Sequence, residues 1–401
     1  MPRAVGARRF LPPEQAVLLM LGGATSDDGV ADALRGVDWQ ALLALATTER
    51  AGAELHRRVR RLAGVSLPRP VSDALQRMAM VSEFEMAQLR ECLLAALSTV
   101  SAVDARVMLL KGTALVHTVY GGDFGRRPMA DIDVLVDPSC ATDVWQALVA
   151  AGWRETVAPD RTTAYREHHH LPPLRDGRGS RARLEIHTAL FADGHPFGLT
   201  PELVWSRAES LPSVAGGPGG ERRSAYVPAI AHQLLHVCLH FAWSHVMRFG
   251  AWRAVRDVNA IIASGRIDWD AFTSLALETR AATSCYWTFR LARTLADVPV
   301  PAEIIEAFRP SRPAAYLRGL EQHYARNLFP VARVCPSVRL DRALWDLGML
   351  PAQSGHGAAR PWNHDSHFQP AAGDGTVRPP GKNASQLWRA ARYLSTLVAS
   401  R

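Results

Sequence analysis

The sequence predicts an α+β fold, with a core of mixed strands and helices between mostly helical N- and C-terminal regions. Three observations carry this. Residues 12–100 and 228–350 repeat apolar side chains at helical spacing. Residues 103–190 switch between short, partly β-branched apolar runs and helical stretches. Two runs in that middle part, Asp131–Val136 and Ala182–His187, alternate polar and apolar residues as strands do.

Composition sets the outer bounds. The chain has 401 residues, 48% of them apolar and 21% charged, which is enough to bury a sizeable core. Its formal charge is +8, but only Lys111 and Lys382 are lysines, so the excess is arginine. The arginines are scattered, with short clusters at 57–61 and at Arg222–Arg223. No basic stripe of the nucleic-acid-binding kind results, and nucleic acid is not an expected partner. A modest attraction for phosphates is. Five cysteines, widely spaced and without a Cys-x-x-Cys pair, argue against a disulfide scaffold and for a reducing compartment. Arg3, Arg8 and Arg9 precede the apolar run Ala16–Leu21, but Pro12, Pro13 and Glu14 between them read as the first turn of a helix, not as a signal peptide. No stretch reaches the roughly 20 apolar residues of a membrane span. A cytoplasmic protein is expected.

The elements follow in order. Residues 1–102 form a helical region, with Asp38 as N-cap of a helix from Trp39 and Ser72 as cap of a second, longer one. A core spans 103–212. It opens with the run Arg106–Leu110, then Lys111-Gly112-Thr113, then a helix over Ala114–Tyr120. The strand Asp131–Val136 comes next, stopped by Asp137-Pro138-Ser139, and a helix over Thr142–Ala151 follows. Two further strands are expected near Ala164–Leu171 and over Ala182–His187, with a Gly/Pro-rich loop at Ser213–Gly220. Residues 225–350 make a helical C-terminal domain. The stretch 353–383, rich in Gly, Pro, Ala and His, is expected to be flexible, and 384–401 to hold a short terminal helix.

The chemistry is expected on the core strands. Asp131 and Asp133 project from one side of a strand while Ile132 and Val134 face the core. Adjacent carboxylates repel, and a cation between them removes the conflict. Mg²⁺ suits hard oxygen ligands and substrate phosphates. Glu185, sharing a face with His187 on the later strand, is the expected third ligand, and three carboxylates can hold two ions. Lys111, Gly112 and Thr113 sit where a strand meets a helix, so backbone N–H groups, a hydroxyl and a compact positive charge are available to phosphate. Arg126 and Arg127 are further candidates for triphosphate contacts.

This ordered set resembles a known family. The segment Leu109–Leu115, Tyr120, Arg127-Pro128 and the run Asp131–Val136 are similar to the signature of a family of uncharacterised bacterial nucleotidyltransferases, the fifth NTP-transferase family of the DNA-polymerase-β-like superfamily. Leu184–His187 resembles its later acidic strand, and Ala231-His232, His236, His240 and Asp257 its helical C-terminal part. The likeness runs from about Asp38 to Asp257. It implies a polymerase-β-like core, Mg²⁺ and an NTP donor, with ATP placed first among the four nucleotides. Asp131, Asp133 and Glu185 would be catalytic metal ligands; Lys111, Gly112, Thr113 and Arg127 would bind the nucleotide. The expected reaction moves an NMP to a hydroxyl or other nucleophile of an acceptor, which could be a small molecule, a peptide or a protein, and releases pyrophosphate. The usual Gly-Ser of the superfamily is Gly-Thr here. The alternative is a nucleotide-binding, antitoxin-like or regulatory partner with little turnover.

Two histidine groups invite a different chemistry. His168-His169-His170, on a straight strand, would split between two faces and could not share one ion. His232, His236 and His240 lie at i, i+4 and i+8 on one helix face, where a zinc site is conceivable. A buried or cleft-facing polar stripe is the favoured reading, and Cys238 is read as a small core residue.

Overall fold

The computed structural model describes residues 8, 10–157, 168–215, 222–329, 334–349 and 386–398. The N-terminal region is helical: α1 (Pro13–Gly22), α2 (Asp27–Leu34), α3 (Trp39–Thr48), α4 (Gly52–Val59) and the long α5 (Arg69–Ala102). α1 starts with proline in its first turn and Glu14 beside it, as expected. Asp38 caps α3, its side chain accepting from the Gln40 and Ala41 N–H groups. α5 begins at Arg69, before Ser72. Pro70 occupies the first turn, where its missing N–H costs nothing, and the helix extends back to it.

The sheet contains β1 (Met108–Leu109), β2 (Asp131–Leu135), β3 (Arg154–Glu155), β4 (Leu174–Arg175), β5 (Arg183–His187), β6 (Glu209–Ala215) and β7 (Arg222–Val227). Among the described residues the strand order is β3-β4-β5-β2-β1-β7-β6. β2 is central, antiparallel to β1 and parallel to β5. α6 (Lys111–Thr118) follows β1, and α7 (Ala141–Ala150) crosses over between β2 and the outer strands. Two expectations change here. Ser213–Ala215 belongs to β6, which pairs antiparallel with β7, and the rest of the expected loop, 216–220, lies outside the described residues. Of the strand expected at Ala164–Leu171, residues 164–167 lie outside the described residues, and the remainder forms a single bridge, His170 to His187. The stretch 353–383 also lies outside them.

Two cores meet along α5. Its first turns, through Val71 and Leu75, join a helical core. Its later turns, from Met86 to Val100, pack under the sheet against Ile132, Val134, Leu184 and Ile186. Each of these four strand residues is at least 97% buried and contributes about 1.5–3 kcal/mol of apolar burial.

The C-terminal region adds α8 (Pro201–Ser206), α9 (Ile230–Leu239), α10 (Ala251–Ala263), α11 (Trp269–Glu278), α12 (Ala282–Ala296), α13 (Ala302–Ala307), α14 (Ala314–Arg326), α15 (Val338–Met349) and α16 (Gln386–Val398). α9 packs on α6 and α10 on α1, so helices from both ends wall the same side of the sheet. No described helix is long and apolar enough to cross a membrane. None of the five cysteines forms a disulfide with another, and Cys238 is fully buried.

Candidate active site

β2 and β5 run in register, with Asp131 opposite Arg183, Asp133 opposite Glu185 and Leu135 opposite His187. The two-residue period turns Asp131, Asp133, Glu185 and His187 to one face. His187 Nε2 is 3.0 Å from Asp133 Oδ1 and 3.7 Å from Glu185 Oε2. Asp133, Glu185 and His187 each bring a ligand atom within 4.8 Å of the others. Asp131 stands one pleat along, its carboxylate 3.7 Å from the Arg183 guanidinium.

Lys111 completes this cluster. Its Nζ donates to Asp133 Oδ1 at 2.8 Å. Its backbone is left-handed, with φ +48°, although it opens α6. That conformation costs a side-chain-bearing residue about 1–2 kcal/mol, and it turns the ammonium onto the carboxylates.

The charges bear on one another strongly. Burial disfavours an ionised Asp133, yet Lys111 and the His187 hydrogen bond outweigh it and hold its carboxyl well below the usual range. Asp131 is raised by burial and then by Asp133. Glu185 is pushed up to about 7, by burial first and Asp133 second. Burial would lower Lys111, but Asp133 and Glu185 keep it firmly protonated. The Lys111 ammonium and, beside Asp131, the Arg183 guanidinium face three carboxylates, and the negative charge left over is what a divalent cation relieves.

The other expected nucleotide contacts fall differently. Gly112 lines the cavity; a Cβ there would sit 3.3 Å from Met129 Sδ and 3.5 Å from Arg127 Cζ. Thr113 is fully buried, its hydroxyl 3.4 Å from the Asp133 backbone N–H and turned toward β2. Arg126 is exposed. Arg127 is buried and held bidentately by Asp257 of α10, with Nε–Oδ1 and Nη2–Oδ2 both at 2.7 Å; its Nη1 donates to the Pro128 carbonyl. The Tyr120 hydroxyl also donates to Asp257, at 2.8 Å. Tyr120, Arg127 and Asp257 thus form one strut between the sheet and the C-terminal helices.

Above the carboxylates lies a cavity of about 510 Å³. Elements from both flanks close it, contributing Arg50 from the turn between α3 and α4, Gln233 and His236 from α9, His240 just after it and Arg253 from α10, with Arg183 rising from β5. Arg253 makes no ion pair with a described residue, only a 3.5 Å contact to the Glu49 carbonyl. Arg183 was missed, although it stands two residues before Glu185 on the same strand face. Arg50, from the turn between α3 and α4, and Arg253, from α10, are distant in sequence and leave no local signal. A more open groove of about 790 Å³ along α5 holds none of the site carboxylates.

His236 and His240 reach the cavity, their ring centroids 6.0 Å apart, while His232 is buried outside its lining. The helix widens into a π turn at His240–Ser244, and these three histidines form no ligand cluster among the described residues. Val246 and Met247 just beyond are left-handed, so strained backbone follows the π turn, as it marks the start of α6 at Lys111. The straight-strand expectation for His168-His169-His170 is overturned: the chain bends there, and one ring nitrogen from each lies within 4.8 Å of the others. Burial lowers all three, His168 to about 4.

A mixed sheet with acidic side chains on neighbouring central strands, roofed by helices, is the architecture of a nucleotidyltransferase core with helical flanks. The chain matches the model of a family described as uncharacterised nucleotidyltransferases over residues 35–297, and it belongs to that family. Nucleotidyl transfer is therefore the general class of activity. No curated protein and no solved structure matches the chain.

Proposed function

We propose that the protein transfers a nucleoside monophosphate from an NTP to a hydroxyl or other nucleophile of an acceptor, with release of pyrophosphate. The observation that carries this reading is Asp133 facing Glu185 across two parallel strands, with Asp131 beside them, at the floor of a 510 Å³ cavity. The donor set fits Mg²⁺: three carboxylates on one face, hard oxygens in excess over the single ammonium beside them. Asp131, Asp133 and Glu185 would hold it. When bound, Mg²⁺ offsets the charge of the triphosphate and lowers the pKa of an oxygen it contacts.

The chain's own groups supply the rest. Arg253, Arg50 and Arg183 bring positive charge to the cavity for the phosphates. Lys111 holds Asp133 ionised, and His187 fixes its orientation. In the transfer, the acceptor atom bonds to the α-phosphorus, the bond to the bridging oxygen of pyrophosphate breaks, and the acceptor proton passes to the Glu185 carboxylate.

The test uses each α-labelled NTP, ATP first, with Mg²⁺ and a small-molecule and protein extract of the host. Label should move to an acceptor with the wild-type chain and not with the Asp131→Ala, Asp133→Ala variant. Equal transfer by the variant overturns the mechanism. Tight NTP binding without transfer in the extract moves the reading to a regulatory nucleotide-binding protein.

A further inference from the structure

We propose that His168, His169 and His170 bind one divalent transition-metal ion of the zinc class, at a nitrogen-donor site distinct from the carboxylate site and joined to it through His187. Three consecutive histidines rarely converge, because an extended chain sends the middle one away. Here the rings stand 4.4–5.0 Å apart, centroid to centroid. The main chain imposes this. The His169 carbonyl accepts from both the Thr188 and Ala189 N–H groups, at 3.0 and 3.2 Å, and Leu171 N–H donates to the Ile186 carbonyl at 2.9 Å. These bonds pin the bend to the end of β5 whether or not an ion is present.

Ring chemistry points the same way. His170 Nδ1 is 2.8 Å from the Leu171 carbonyl. A carbonyl only accepts, so Nδ1 carries the proton and Nε2 carries the lone pair. This is how a backbone oxygen sets the tautomer of a metal-ligating histidine. His187 adds a fourth ring. It is fully buried, 5.3 Å from both His169 and His170, and its Nε2 is on Asp133. Its Nδ1 has no hydrogen-bond partner among the described residues. Two nitrogens on one zinc lie about 3.4 Å apart when tetrahedral, so ring nitrogens within 4.8 Å of one another need close by at most about 1.4 Å, through rotation about the soft imidazole torsion. Imidazole donors select zinc and its neighbours and leave Mg²⁺ to the carboxylates.

The test does not depend on nucleotidyl transfer. The full chain is stripped with chelator, then titrated with Zn²⁺ against a chromogenic chelator and, separately, with Co²⁺ followed by visible absorption. One ion per chain is expected, bound equally by the Asp131→Ala, Asp133→Ala variant and at least tenfold more weakly by His168→Ala and His169→Ala. Co²⁺ should give ligand-field bands that the histidine variants lose. If His169→Ala fails to fold, His168→Ala decides alone, since its side chain is only partly buried. No stoichiometric binding, unchanged affinity in His168→Ala, or binding lost in the carboxylate variant would each overturn the site.

Discussion

Glu185→Gln separates charge from shape at the candidate site. In the metal-free protein the Glu185 carboxyl is pushed up from 4.5 to about 7, first by burial and then by Asp133. Between those two pH values the folded state binds more protons than the unfolded one. Stability therefore falls as pH rises through this window and stays low above it. A shift of that size sets a ceiling of about 3 kcal/mol, and water screening at a carboxylate 15% exposed brings the expected cost nearer about 2 kcal/mol. Glutamine keeps the shape and cannot ionise. In chelator, Glu185→Gln should match wild type near pH 4.5 and exceed it by about 2 kcal/mol at pH 8. In millimolar Mg²⁺ the order at pH 8 should reverse, because only the wild type keeps all three anionic ligands and gains from binding. Urea unfolding at both pH values, with and without Mg²⁺, measures all four differences. A variant less stable than wild type at pH 8 in chelator would refute the electrostatic argument, and equal stabilisation of both by Mg²⁺ would refute the ligand role.

Three further outcomes follow from the same geometry. Arg127→Ala, or Asp257→Ala, leaves one half of a buried bidentate pair uncompensated and should cost about 3–5 kcal/mol in urea unfolding, with the double variant costing less than the sum. Lys111→Met strips Asp133 of its ammonium; it should destabilise the metal-free chain by about 3 kcal/mol, and millimolar Mg²⁺ should narrow the gap in melting temperature. Gly112→Ala places a methyl 3.3 Å from Met129 Sδ; a loss of about 1 kcal/mol is expected, together with weaker NTP binding by calorimetry because Arg127 and the cavity wall must shift.

The acidic strand was legible because its information is local. Alternation alone puts Asp131 and Asp133 on one face with Ile132 and Val134 behind them, and Glu185 declares its own face the same way. The pairing of Asp133 with Glu185 is not local. It depends on a crossover through α7 that sets β5 parallel to β2 in one register, and a slip of a single residue would have turned Glu185 into the core. β6 and β7 escaped notice for a related reason. A Gly/Pro-rich stretch lies between them and Arg222-Arg223-Ser224 lacks apolar alternation, so the pairing with β6 was not readable from either strand alone.

Charged side chains were harder to place than strands, because their role is decided by whichever partner reaches them first. Lys111, Thr113 and Arg127 were all expected at phosphate. Lys111 is held by Asp133, Thr113 is turned into the sheet, and Arg127 is held by Asp257, 130 residues away. Arg253, on a helix with no motif to mark it, carries its charge to the cavity instead, while Arg50, in the turn between α3 and α4, reaches the cavity and also pairs with Glu85 at 3.1 Å. A buried ion must find an opposite charge in the folded chain, while one bordering an open cavity need not. An arginine in a cleft without an anionic partner among the described residues is therefore a better pointer to a phosphate than an arginine next to a motif. By that criterion Arg253 ranks above Arg127, and substituting it should weaken nucleotide binding.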